Sequence, residues 1–173
     1  EEEVSIDETN FLTVDVYDRW DVLFLKLINS LRKIDSLIEY DYIIKTNTTT
    51  WINEMPLRDF LSRNKPELAG VLNKHKSFPA GWASIYSKTF VDKMLNFNLS
   101  EFQLSGYDDE IVGAIANHFR VKTQNVEYAE FSNTKEVELM KVPFVRIKSR
   151  RNRISEDLRN FKNLDAMLDW DVK

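Results

Sequence analysis

Three places in the chain carry side chains that could do chemistry. The first is an adjacent carboxylate pair, Asp108 and Asp109. Carboxylates at a helix start either cap the helix and answer its dipole, or hold a base where a proton must be removed. The second is Lys45-Thr-Asn-Thr-Thr-Thr50, a polar run entered from Tyr42, Ile43 and Ile44 and left on Trp51 and Ile52. Continuous β-branched and aromatic residues bounded by polar turn-formers predict a buried strand. A strand ending in small hydroxyl and amide side chains either presents them to a ligand or leads into a helix capped at Asn53. The third is the basic segment Arg146-Ile-Lys-Ser-Arg-Arg-Asn-Arg153. Charge runs are usually solvated loops, but guanidinium and ammonium groups also neutralise phosphate oxygens.

These groups need a scaffold, and 173 residues suffice for one domain with a core. The elements read as an alternation. Leu12-Thr-Val-Asp-Val16 predicts a short strand. Asp18 caps a helix whose Trp20, Leu23, Phe24, Leu27, Ile28 and Leu31 share one face. The strand Tyr42–Thr46 follows, with an unbroken apolar run that suggests a central position. Pro56 sits at the start of a short helix, Leu57–Ser62. Residues 63–77 predict a loop with a short strand at Leu68-Ala-Gly-Val-Leu72. Phe78-Pro-Ala-Gly-Trp82 predicts a turn, Ala83–Tyr86 a strand, and Ser87 the cap of a helix Lys88–Leu95. Asp108 and Asp109 open a helix with Ile111, Ile115 and Phe119 inward. Val126–Tyr128 and Val142–Ile147 are late strands, and residues 150–171 lead into an amphipathic helix. Strands alternating with helices give an α/β class.

Composition excludes several functions. Net charge is −4, and the basic segment lacks interleaved aromatics, which argues against nucleic acid. With no cysteine there is no disulfide, thiolate metal site or thiol nucleophile. The same lack slightly favours a reducing compartment or a virus-like origin. No apolar run reaches membrane-spanning length, and Glu1-Glu-Glu3 is the opposite of a signal peptide. The expected location is therefore the cytoplasm, a cell's own or a virus's host's. The two histidines, His75 and His118, read as a loop residue and a helix residue.

Taken in order, the pieces resemble the β-1,3-galactosyltransferase and Fringe-like glycosyltransferases of the GT-A fold. Asp18-Arg-Trp-Asp-Val-Leu-Phe-Leu-Lys26 is similar to that family's Asp-x-Tyr-x-Asn-Leu-x-x-Lys helix. Lys45-Thr-Asn-Thr-Thr-Thr-Trp-Ile-Asn53 lies where the family runs Lys-x-Asp-Asp-Asp-Thr-Phe-Val-Asn. Phe78-Pro-Ala-Gly-Trp-Ala-Ser-Ile-Tyr-Ser87 resembles its Tyr-x-x-Gly-x-x-Tyr-x-x-Ser segment, with Tyr86 later after Gly81 than the family's tyrosine. Asp108-Asp109, with Gly113 four residues on, resembles its Glu-Asp-Val-x-x-Gly helix start. The likeness covers roughly residues 12–119. The family's first nucleotide-binding strand would precede residue 1, and the chain's first residues read like the middle of a domain.

The resemblance implies a GT-A-like mixed sheet flanked by helices, with residues 146–173 as a basic segment and helix of the same single domain. It implies an inverting transfer of sugar from a nucleotide-sugar donor to a glycan or other hydroxyl acceptor. Asp109, with Asp108 beside it, takes the place of the base. Lys45, Asn47, Thr48, Thr49, Arg146, Lys148, Arg150, Arg151 and Arg153 take the donor's diphosphate side. Gly81 and Trp82 take the sugar or acceptor side, the indole as a stacking face. The departure lies at Asn47-Thr48-Thr49, which replaces the family's acidic metal triplet. An amide and two hydroxyls carry no charge for Mn²⁺ or Mg²⁺, so no metal is expected and the basic residues are its substitute. The alternative is a non-catalytic domain of the same ancestry that binds sugar or a protein partner.

Overall fold

The computed structural model describes residues 23–72, 77–98, 107–133, 136–148 and 153–168. The expected strand at 12–16, the helix cap at Asp18, His75, and the cations Arg150 and Arg151 lie outside them. The molecule is a mixed α/β fold with a central sheet flanked by helices.

The periodic apolar residues of the first helix do bury one face. In α1 (Leu23–Leu37), Phe24, Leu27, Ile28 and Leu31 are buried. They meet Phe90, Val91 and Met94 of α3 (Lys88–Leu95) and Ile111, Val112 and Ile115 of α4 (Asp108–His118). Leu68 and Tyr86 of the sheet close this cluster. Each such side chain contributes on the order of 1.5–3 kcal/mol by leaving water. Ser87 caps α3 as its type suggests: its hydroxyl accepts a hydrogen bond from Phe90 N at 3.2 Å.

The sheet runs β1 (Tyr42–Thr46), β4 (Pro79–Ser87), β3 (Leu68–Leu72), β5 (Thr123–Asn125). β4 is antiparallel to both neighbours, and β3 and β5 are parallel. This corrects two expectations. Among the described residues β1 pairs with β4 alone and is half-buried along its length. The inner positions belong to β4 and to β3, which forms at the expected Leu68–Leu72. The supposed turn Phe78–Trp82 is the first half of β4. Its Pro79 and Gly81 read as turn-formers, yet Ala80, Ala83, Ser84, Ile85 and Tyr86 are all buried.

A second sheet, β2 (Thr50–Ile52), β7 (Phe144–Arg146) and β6 (Tyr128–Glu130), stands beside the first. α2 (Glu54–Asn64) follows β2 directly. Asn53 is its cap residue but makes no side-chain cap bond. Its amide donates to Met140 O at 2.9 Å, tying the helix start to the segment before β7. Leu57, Ala69, Val71, Ala83, Ile85, Val126 and Phe144 fill the space between. A short helix, α5 (Glu136–Leu139), and the long α6 (Arg153–Leu168) complete the described chain. Leu164 packs with Trp51, Val145 and Ile147, and the Trp51 indole donates to Asp165 at 3.0 Å. No helix among the described residues is long and apolar enough to cross a membrane.

The β3–β4 ladder carries an irregularity that matters below. Gly70 pairs with Ser84, and Leu72 with Pro79. That is two steps along β3 against five along β4, so β4 bulges by three residues. Gly70 makes the bulge possible. Its φ is +155°, and a β-carbon there would lie 2.3 Å from Ala83 O and 2.6 Å from Pro79 Cβ. Gly70→Ala should therefore cost about 1–3 kcal/mol or more, on the scale of overpacked cores. Urea unfolding would measure it; an unchanged midpoint would contradict this packing.

A titratable tie joins α1 to α3. Tyr40 donates to Asp35 at 2.7 Å, and Lys88 Nζ lies 3.0 Å from the same carboxylate. The Tyr40 hydrogen bond, then Lys88, hold the Asp35 carboxyl below its usual range. Stability from this tie is present above the unfolded value of about 3.9 and is lost as pH falls through the lower folded value. Thermal scans from neutral to acid pH should show a shallower loss for Asp35→Asn than for the natural chain. Equal slopes would contradict the tie.

Candidate functional site

The bulge turns three consecutive carbonyls, those of Ala80, Gly81 and Trp82, toward side-chain donors. Ser84 Oγ donates to Ala80 O at 3.0 Å within a buried stretch. Lys45 Nζ donates to Gly81 O at 2.7 Å. The Thr50 hydroxyl lies 3.0 Å from Trp82 O and 3.0 Å from Asn47 Oδ1, and its one hydrogen serves either. Bulges re-aim neighbouring side chains in this way. Here Gly81 and Trp82 face different partners.

On the Gly81 side lie the carboxylates. Asp108 Oδ2 is 2.7 Å from Lys45 Nζ, so the lysine bridges a backbone carbonyl and an acid. A β-carbon at Gly81 would lie 3.4 Å from Lys45 Nζ, 3.4 Å from Asp108 Oδ1 and 3.8 Å from Asp109 Cβ. The position therefore has room for a methyl group, and nothing in its backbone demands glycine. α4 is held here by Gly113. A β-carbon on it would lie 2.4 Å from Phe78 Cδ1, so only glycine lets the residue before β4 press on the helix. Tyr86 lies buried beneath. Burial pushes its phenol up, against a Ser84 hydrogen bond, and the charges of Asp108 and Asp109 add to the rise. It stays neutral at physiological pH.

On the Trp82 side lies a cation. The Arg146 guanidinium carbon is 4.9 Å from the Trp82 ring centroid, and Tyr128 meets the same indole edge-on at 5.2 Å. Arg146 Nε is buried with no hydrogen-bond partner. Thr50 pairs with Arg146 across β2 and β7, and Ile147 N donates to Thr49 O at 3.0 Å. The polar turn is thereby fixed to the arginine's strand. The turn itself is closed by Asn47, whose Oδ1 accepts from Thr49 N at 3.0 Å and Thr49 Oγ at 2.9 Å.

The structure thus brings together Lys45, Gly81, Asp108 and Asp109 in one group, and Asn47, Thr49, Trp82 and Arg146 in another. The two meet at the Gly81–Trp82 peptide. Thr48 is an exposed turn residue and Lys148 an exposed one after β7. Arg153 opens α6, and its side chain lies outside the described residues, as do Arg150 and Arg151. Two placements differ from expectation. Lys45 is engaged with Asp108, and Trp82 has a guanidinium over its ring. Three contributors escaped the sequence reading: Thr50, Ser84 and Tyr128. Thr50 and Ser84 act only through the bulge, which no spacing announced. Tyr128 stood at the end of an expected strand, but its exposure could not be read.

No family model matches the chain, and no curated protein matches it. A solved structure does. It is described as the crystal structure of a glycosyltransferase involved in the glycosylation of the major capsid of PBCV-1. The two agree with a TM-score of 0.55 over 86% of this chain and 80% of that one, at 11% sequence identity. At that identity the likeness establishes a common fold.

The Lys45–Asp108 pair is only partly exposed, with side chains 24% and 14% accessible. Lys45→Met leaves Asp108 without this partner. The cost should fall below the ~3–5 kcal/mol of fully buried pairs, at about 1–3 kcal/mol. Adding Asp108→Asn should recover much of it. Gly81→Ala, by contrast, should be neutral or stabilising by roughly 0.5–1 kcal/mol. Chemical denaturation of the four proteins checks the set; a double variant no better than Lys45→Met would contradict the pairing.

Proposed function

We propose that this chain is a glycosyltransferase that moves a sugar from a nucleotide-sugar donor to a hydroxyl acceptor, with inversion. The observation that carries the reading is the split at Gly81–Trp82. Carboxylates stand on one side of that peptide and an arginine on the other. An inverting displacement needs this polarity: a base where the acceptor hydroxyl enters, and positive charge where the diphosphate leaves. The fold held in common with a glycosyltransferase supports the same reading.

In this scheme Asp109 takes the acceptor's proton as its oxygen attacks the anomeric carbon. Asp108 and Lys45 fix the start of α4 against Gly81. The bond from the sugar to the diphosphate oxygen breaks, and its electrons go to the leaving nucleotide. Arg146 meets that negative charge, and the cations that follow it in the sequence, Lys148, Arg150, Arg151 and Arg153, are assigned to the same role. Gly81 leaves the space into which sugar or acceptor approaches. The residues at Asn47–Thr49 do not suit a divalent ion. Asn47 Oδ1 is turned into its own loop, and the threonines are neutral. No step is therefore routed through a metal.

A second reading, a sugar-binding or partner-binding domain without turnover, draws on one observation. Asn47 and Lys45 both direct their functional groups to internal bonds. Turnover separates the two. Asp109→Asn should lower kcat by roughly 10²-fold or more, with donor affinity nearly kept. Transfer should persist in chelator. Full turnover in Asp109→Asn would refute the base assignment. Donor binding without any transfer or hydrolysis in the natural chain would favour the second reading.

A further inference from the structure

Among the described residues, Arg146 carries the one buried side-chain nitrogen without a hydrogen-bond partner. A guanidinium is charged at every physiological pH and its five N–H groups seek acceptors. The other described ion pairs join lysines or arginines to carboxylates, as in Lys45–Asp108, Arg58–Glu54 and Arg63–Asp59. Arg146 has no such partner among the described residues, and its Nε–H is buried without an acceptor there. A buried donor left unmatched is costly, and more so when charged. What holds it is the Trp82 ring at 4.9 Å, itself braced by Tyr128. Its backbone is fixed as well: Arg146 pairs with Thr50 on one side and with Glu130 on the other.

We propose that Arg146 is a preorganised receptor for a phosphate-class oxyanion, and that Trp82 is its positioning residue and not a sugar-stacking face. A guanidinium held over an indole has lost much of the freedom it would otherwise lose on binding. Its two Nη groups, unlike the buried Nε, are not among the buried unmatched atoms and offer paired donors to two oxygens of one phosphate. The group that answers the anion is thus built from β4, β6 and β7, with the Asn47 turn alongside. This rests on the transferase reading only where the anion is taken to be a nucleotide's diphosphate.

The test is calorimetric titration of the full chain with inorganic pyrophosphate, with UDP and with a panel of nucleotide-sugars, all in chelator. Both pyrophosphate and UDP should bind. Arg146→Met should weaken each by about tenfold or more, as expected for losing a charge-assisted bidentate contact. Arg146→Lys keeps the charge without the fork and should recover only part. Trp82→Leu should weaken binding several-fold, on the order of a lost cation–π contact, while Trp82→Phe should retain most of it. Raising salt from about 50 to about 500 mM should weaken all complexes. Circular dichroism and thermal midpoints identify any variant that fails to fold; Arg146→Lys and Trp82→Phe then carry the comparison. Unchanged binding in Arg146→Met, equal binding in Trp82→Leu and Trp82→Phe, or no binding of either anion overturns the receptor. Pyrophosphate held through Arg146 with no nucleotide-sugar bound would keep the receptor and sink the transferase reading. Nucleotide-sugar bound equally by Arg146→Met would do the reverse.

Discussion

Backbone carbonyls that leave a sheet ladder must find donors elsewhere, and the rest of this site follows from that constraint. Ala80, Gly81 and Trp82 lie in a bulge of β4, and their oxygens are met by Ser84, Lys45 and Thr50. A buried carbonyl left unmatched would cost roughly 1–3 kcal/mol. The three donors are therefore part of the fold as much as of the site. Lys45 brings Asp108 with it, and Thr50 brings the Asn47 turn and, through β7, Arg146. The candidate site is positioned by satisfying a strand's irregularity.

The glycines divide the work of making that irregularity. Gly70 supplies the backbone angle and the space under Ala83 O. Gly113 lets Phe78 seat against α4, which sets the height of Asp108 and Asp109 over the sheet. Gly81 does neither: its surroundings accept a β-carbon.

Much of this was legible in the residues. Helical spacing exposed the buried face of α1, and Ser87 declared itself as a cap. Asp108-Asp109 with Gly113, Phe78 to Ser87, and Lys45 to Asn53 marked the segments that do meet. What could not be read was long-range. A strand rich in alanine, glycine and serine gives no apolar signal, so β4 was half mistaken for a turn and β1 was placed too centrally. Lysine and aspartate 63 residues apart give no hint that they pair, as Lys45 and Asp108 do. The neighbours of an indole cannot be inferred from its own sequence either: Arg146 lies over Trp82 from another sheet.

The claim on which these relations converge is that ligand meets the molecule at the Gly81–Trp82 peptide. The opposite end of the central sheet offers a competing location, a groove whose lining includes Asp41, Tyr42, Arg58, Lys65, Glu67 and Lys88. Amide, indole and arginine Nε resonances, followed by NMR as UDP is added to the isotope-labelled chain, distinguish the two ends directly. The account predicts the largest shifts at Gly81, Trp82, Thr50 and the Arg146 Nε–H, with Asp41, Tyr42 and Glu67 unmoved. Shifts confined to the groove at Tyr42 and Glu67, with Gly81 and Arg146 silent, would contradict it.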